Sequence, residues 1–223
     1  MLEIFECEQG SPQWFEVRRG IPTASKYATI LAEGKKKGEP SVGRASYMRT
    51  LAWEIYNQAT AAETYTNPNF DRGKALEGSA RAMYCYAYDV EARQVGFIRE
   101  SDLKTGVSPD ALIGDDGGLE IKTAFPHIVV EKILADVFPP EHKPQCQGFL
   151  LVTGRKWIDL VIYWPGGEPF IKRAERDEVY IANLASKIAE FNRDLDAMVA
   201  EWRQRHVPIK EQLRASVELA WTA

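Results

Sequence analysis

Ser108-Pro109-Asp110-Ala111-Leu112-Ile113-Gly114-Asp115-Asp116-Gly117-Gly118-Leu119-Glu120-Ile121-Lys122 is the stretch on which the reading of this chain turns. Leu119 and Ile121 alternate with Glu120 and Lys122, the period-two pattern of a half-buried β-strand. Glu120 and Lys122 therefore leave one face of the strand, and Ile121 points the other way into the core. Ala111-Leu112-Ile113 reads as the neighbouring strand, with Asp110 at its start. Asp115-Asp116-Gly117-Gly118 is the expected reversal, because glycine permits the backbone signs of a tight hairpin. On this reading the two acids meet across a hairpin with the lysine beside them.

Two carboxylates and a lysine suit hydrolysis of a phosphodiester. Mg²⁺ is a hard cation that takes oxygen ligands and keeps several waters, so Asp110 and Glu120 suffice to hold one or two such ions. A metal in that place polarises a phosphoryl oxygen and activates a water, and Lys122 is placed to orient the water and offset developing charge. The bare pattern fits equally a solvated hairpin with cross-strand ion pairs.

Working outward, Ser11-Pro12 reads as a helix start with Ser as cap and Pro in the first turn, and Gly20 as its end. A second helix is expected from Thr23 through Tyr27, Ile30 and Leu31. Its N-terminal amides, the Ser25 hydroxyl and Arg18 make a ready phosphate site. Residues 34–43 read as a loop, 44–61 as a helix, and 71–88 as a helix carrying Glu77 beside an apolar stripe of Leu76, Ala80, Met83 and Tyr84. Phe70 stands at the start of that helix, either as a wedge between base pairs or as a packing residue. Residues 90–98 and 110–122 are read as the main strands. Helices are expected at 127–135 and 141–153, the second carrying Gln145, with strands at 156–163 and 170–172. A long helix spans 177–205, with Leu184, Ile188, Phe191, Leu195, Met198 and Trp202 as its stripe, and a last helix spans 209–221. His127, His142 and His206 read as surface residues.

Separated motifs in the same order carry a family resemblance. Trp14-Phe15-Glu16-Val17-Arg18-Arg19-Gly20-Ile21-Pro22-Thr23-Ala24-Ser25, Gly73-Lys74-Ala75-Leu76-Glu77, Ser108-Pro109-Asp110, Leu119-Glu120-Ile121-Lys122 and Gln145-Cys146-Gln147 resemble those of the alkaline exonucleases of the phage lambda exonuclease type, the YqaJ viral recombinase family within the PD-(D/E)xK nucleases. The resemblance runs from about Trp14 to Val179. It implies an α/β, restriction-endonuclease-like fold with a mixed central sheet flanked by helices, here one domain over residues 1–223 with a helical C-terminal segment from about 177. It implies Asp110, Glu120, Glu77 and Ile121 as the metal set, Mg²⁺ (or Mn²⁺) as the ion, and Lys122 and Gln145 as catalytic partners. Arg18, Ser25 and Ser108 match the positions that hold a terminal 5′ phosphate, and Phe70 and Lys36 join them as DNA-binding candidates. The implied activity is 5′→3′ digestion of one strand of linear double-stranded DNA, leaving a 3′ overhang for recombination. A homotrimeric ring, a single-strand annealing protein as partner, and a phage or prophage origin follow from the same resemblance. An endonuclease of the same fold and a non-catalytic DNA-binding or annealing protein are the alternatives.

Composition bounds these readings. At 223 residues the chain fits one domain with a sizeable core, and 27% charged with 45% hydrophobic residues is the balance of an ordinary soluble enzyme. There is no run of about 20 apolar residues, hence no expected membrane span. The first residues lack the basic and apolar regions of a secretory signal, and Cys7, Cys85 and Cys146 are scattered and odd in number. Both features lead us to expect a reducing cytoplasm. Three cysteines also cannot ligate an iron–sulfur cluster of four thiolates. A net charge of −4 argues against a protein that merely coats duplex DNA. The basic patch available for DNA is N-terminal, comprising Arg18, Arg19, Lys26, Lys35, Lys36, Lys37 and Arg44.

Overall fold

The structure, a computed structural model, describes residues 1–36, 38–61 and 68–205, with residues 68–71 and 74 placed by their backbone alone. Lys37, His206 and the helix expected at 209–221 lie outside the described residues. The hairpin at the centre is present. β5 (Ala111–Ile113) pairs antiparallel with β6 (Gly117–Thr123), Ala111 opposite Leu119. β6 then pairs in parallel with β7 (Trp157–Tyr163), Glu120 opposite Leu160. A parallel pair needs a crossover; here α5 (Pro126–Ala135) and α6 (Lys143–Thr153) supply it. With β2 (Ala92–Arg93) and β8 (Phe170–Glu175) on the outside, the mixed sheet runs β2-β5-β6-β7-β8.

The turn falls earlier than expected. Gly114, Asp115 and Asp116 make it, Gly114 at φ +49°, and Gly117 and Gly118 belong to β6. These two glycines serve close packing. A Cβ on Gly117 would lie 2.2 Å from the Trp157 ring, and one on Gly118 would lie 2.3 Å from Phe149.

Residues 90–98 do not form one strand. β2 ends at Arg93, and β3 (Phe97–Glu100) belongs to a separate antiparallel sheet with β1 (Leu2–Phe5) and β4 (Thr105–Val107), in the order β1-β3-β4. Gly96 makes the crossing: its amide donates to the Phe5 carbonyl, and a Cβ there would lie 2.4 Å from the Cys7 carbonyl oxygen. A continuous apolar pattern in the sequence hid this jog between sheets.

The helices follow their caps. α1 (Pro12–Arg18) starts at Ser11, whose hydroxyl accepts from the Trp14 amide. Residues 24–26 form a 3-10 turn, so the helix expected from Thr23 is reduced to α2 (Tyr27–Leu31). α3 (Val42–Asn57) is capped by Ser41 and stopped by Gln58 at φ +51°, short of the expected end. α4 (Pro68–Tyr88) begins earlier than expected, and β8 runs to Glu175 rather than Lys172. α7 (Glu178–Arg205) is capped by Asp177, which accepts from the Tyr180 amide at 3.0 Å.

The sheet divides the core. On one face Ala80 and Tyr84 of α4 pack on Ala111, Leu119 and Ile121. On the other, Phe149 and Leu150 of α6 join Leu112, Ile158 and the α7 stripe of Leu184, Ile188, Phe191 and Leu195. Met198 is only partly buried while Val199 is buried, and Trp202 stacks on Tyr56 at 4.2 Å. Among the described residues no helix is long and apolar enough to cross a membrane.

Candidate active site

Period two puts Glu120 and Lys122 on the α6 side of β6, opposite Leu119 and Ile121. Glu120 is 3% exposed, and its Oε1 accepts from Lys122 Nζ and from Gln145 Nε2, each at 2.6 Å. Asp110 stands just before β5, where its amide donates to the Leu119 carbonyl and its Oδ2 accepts from the Ile121 amide at 2.5 Å. Asp110, Glu120 and Lys122 are thus brought together as the spacing predicts, and Gln145, named from the resemblance, joins them.

The electrostatics show a surplus of negative charge. Desolvation, then the charges of Glu120 and Glu77, push the Asp110 carboxyl well above its usual range. Desolvation works against the Lys122 ammonium, yet Glu120 and Asp110 together hold its pKa above the ordinary lysine value. A single ammonium stands beside Asp110 and Glu120, and the field of Glu77 reaches Asp110 as well.

Glu77 reaches this group by its field, while its carboxylate is ion-paired to Arg81 at 3.0 Å, one turn along α4. Among the described residues, no three His, Cys, Asp or Glu side chains stand close enough to form a metal-holding group. Mg²⁺ needs less, since one or two carboxylates with waters and substrate phosphates are its usual set. Asp110 and Glu120 are hard oxygen donors crowded without sufficient positive charge, and in that respect the residues fit a divalent cation. The Ile121 side chain is buried in the core and its amide is spent on Asp110, so only its carbonyl could ligate.

A second group lies two residues up the chain. Arg18 and Trp14, one turn apart on α1, stack with the guanidinium 3.7 Å from the ring centre. Both donate to the Ser108 hydroxyl, Arg18 Nη1 at 2.8 Å and Trp14 Nε1 at 2.9 Å. No carboxylate lies within ion-pair distance of Arg18 among the described residues. Desolvation lowers its pKa to about 10. Ser108-Pro109-Asp110 therefore joins a partly buried cation without an ion-paired acid to two acids that share one lysine. Gln9, which no sequence pattern marks, ties this link down, its Nε2 donating to the Pro109 carbonyl at 2.8 Å and to Val95 at 3.1 Å.

Ser25 and Lys36 make no hydrogen bond to either group among the described residues. Ser25 is exposed, its hydroxyl 3.3 Å from that of Thr23. The Thr23 amide in turn donates to the Tyr47 hydroxyl at 3.2 Å, and Tyr47 lies in the field of Arg18. Lys36 is exposed and meets Glu39 at 3.7 Å. Phe70 is on the first turn of α4, with its side chain outside what the structure describes. His142 is less exposed than a surface reading implies. It is partly buried just before α6, and desolvation and the nearby Lys122 charge lower its pKa.

A family model, the YqaJ-like viral recombinase domain, matches residues 13–156. The chain belongs to this family. Arg18, Ser25, Glu77, Ser108, Asp110, Glu120, Lys122 and Gln145 all fall inside the matched segment. Among solved structures, the alkaline exonuclease LHK-Exo of Laribacter hongkongensis is similar at TM-score 0.78 and 29% identity, over 87% of this chain and 97% of its own. Its complex with dAMP matches equally. A phage-related exonuclease from Haemophilus somnus 129PT shares the fold at TM-score 0.58 and 14% identity, over 81% of this chain and 96% of its own. None of the curated proteins matches. The restriction-endonuclease-like α/β fold of the YqaJ-like family is therefore the fold of this chain.

Proposed function

We propose that this member of the YqaJ-like family is a Mg²⁺-dependent exonuclease. It digests one strand of linear double-stranded DNA in the 5′→3′ direction and leaves a 3′ single-stranded overhang for recombination. The observation that carries this reading is the adjacency of two complementary deficits. Arg18 has no carboxylate within ion-pair distance among the described residues, and two residues beyond Ser108 the two acids share a single lysine. A DNA strand with a 5′-terminal phosphate, bound together with a divalent ion, corrects both.

In this reading Arg18 and Ser108 hold the terminal phosphate, and the short link to Asp110 sets which phosphodiester meets the acids. Asp110 and Glu120 hold the ion, with the Ile121 carbonyl as a further oxygen and Glu77 as a nearby charge. The chemistry supplied by that ion is polarisation of the phosphoryl oxygen and a lowered pKa for the attacking water. Lys122 turns from Glu120 to the attacked phosphate and offsets charge there. Gln145 keeps Glu120 oriented. The capture of dAMP by LHK-Exo, a deoxynucleoside monophosphate such as stepwise digestion releases, supports the same product class here. The reading extends to a ring of three copies around the duplex, which mass measurement in solution tests.

The deciding experiment compares linear duplexes bearing 5′-phosphate or 5′-hydroxyl ends with a closed circle, in Mg²⁺ and in EDTA. The expected result is mononucleotide release that needs Mg²⁺, favours the phosphorylated end and spares the circle. Arg18→Ala is expected to erase the preference for the phosphorylated end. Nicking of the circle would move the protein to the endonucleases, and equal rates on both ends would sink the phosphate pocket.

A further inference from the structure

Several arginines among the described residues are paired with acids. Arg19, Arg44, Arg81, Arg99, Arg173 and Arg176 each meet an Asp or Glu. Arg72 meets none among the described residues, and the group that holds it is aromatic. Its guanidinium carbon is 4.6 Å from the ring centre of Phe125 and 5.1 Å from that of Trp164. Its Nε is buried with no hydrogen-bond partner. The rings brace one another, Phe125 lying 5.3 Å from Trp164 and 6.2 Å from His127. Phe125 is 43% exposed, so the cluster opens to solvent.

Its position ties it to the acids. Phe125 follows Lys122 by three residues, just past the end of β6. Gly73, next to Arg72, abuts the same strand end, and a Cβ there would lie 3.3 Å from Thr123 Oγ1. Stacking on aromatic rings leaves the guanidinium donors that point past the ring edge free for a planar acceptor. A buried donor without an acceptor carries a penalty of about 1–3 kcal/mol, and such deficits in native structures call for a ligand or another role. A phosphate meets the guanidinium with parallel charge-assisted hydrogen bonds.

We propose that Arg72, held on Phe125 and Trp164, binds a backbone phosphate of the DNA strand that enters the Asp110–Glu120 site. Arg72 precedes Glu77 by five residues, about 7.5 Å along a helix at about 1.5 Å per residue. The inference rests on the proposed action on DNA and adds a phosphate contact separate from that of Arg18.

The test is binding rather than cleavage. A 5′-phosphorylated duplex is titrated with the whole protein in EDTA, across a range of salt, by fluorescence anisotropy. Arg72→Gln is expected to weaken binding about tenfold at low salt and to flatten the logarithmic salt slope by about 1, as loss of one phosphate contact does. Arg72→Lys is expected to keep the slope. Replacing single phosphates near the 5′ end by neutral methylphosphonates is expected to weaken wild-type binding at one position that costs Arg72→Gln nothing further. A merely structural Arg72 would change neither the slope nor this position. An unchanged slope in Arg72→Gln overturns the inference. So does a wild-type scan with no sensitive phosphate beyond the terminal one, whether or not that variant folds. Wild-type protein that binds no duplex refutes the proposed function itself, whereas wild-type binding with an indifferent Arg72→Gln refutes only the Arg72 contact.

Discussion

Two buried carboxylates on adjacent strands have opposite surroundings. Asp159 of β7 is 2% exposed and accepts from Arg173 Nε at 2.8 Å, Arg173 Nη2 at 2.9 Å and the Tyr84 hydroxyl at 2.6 Å. Arg173 is itself stacked over Trp157, 3.6 Å from the ring centre. Charge and hydrogen bonds close on themselves there, and the network pins α4 to the sheet. Glu120 of β6 is as deeply buried, but shares one lysine with Asp110 while Glu77 adds a further negative field. A closed network is a structural joint. An open one retains unbalanced charge, and unbalanced charge inside a protein marks a place where something else binds.

The sharpest way to break this contrast is to neutralise one member of the open group. Asp110→Asn keeps an oxygen for the Ile121 amide and removes a like charge. Activity is expected to fall by about 1,000-fold or more, as loss of a group that stabilises the transition state does. The thermal midpoint is expected to rise by about 2–4 °C, the shift that about 1 kcal/mol gives at this chain length. Calorimetry showing a fall instead would mean that the acids are structural. Lys122→Ala comes next, with nuclease rates expected about 100- to 1,000-fold lower while DNA binding in EDTA persists; loss of both together would contradict its assignment to the chemical step.

The closed group should respond the other way. Asp159→Ala leaves the Tyr84 hydroxyl without its acceptor, at a cost of about 1–3 kcal/mol in denaturant unfolding; Arg173, half-exposed, can recover water. Cleavage per folded molecule is expected to stay within about threefold of wild type, well under the tenfold that about 1.4 kcal/mol in the barrier would produce. Tyr84→Phe should show the smallest effect, a loss of about 1 kcal/mol for one hydrogen bond with the carboxylate still held by Arg173. A large drop in activity from either change would show that the joint also governs where α4 places Glu77.

The sequence made part of this legible. Period two on Leu119, Glu120, Ile121 and Lys122 puts alternate side chains on opposite faces, so Glu120 and Lys122 could be set on one face from spacing, while the burial of both faces could not. Ser11 capping α1 and the stripe of α7 were legible for the same reason, each being a local pattern. Residues 90–98 were not, because alternating apolar residues carry no sign of a chain changing sheets, and the cause lies in how Gly96 meets the distant Cys7. β1 and β4 are too short to announce themselves. Glu77 was placed on the correct helix, and its pairing with Arg81 is an i,i+4 contact that spacing permits without fixing the rotamer. Arg72, Phe125 and Trp164 come from α4, the β6–α5 link and the end of β7, so only the folded chain brings them together. His142 was read as surface because its neighbours in sequence are polar, while its neighbours in space include Lys122.

Pro109 is one residue wide. With its φ fixed by the ring and its carbonyl fastened by Gln9, it leaves little play between the serine before it and the aspartate after it. If strand ends are sensed at one and bonds are broken at the other, the stride of the enzyme is set by covalent geometry rather than by a hinge. A variant lengthened here by a single glycine should still grip and still cut, but out of step.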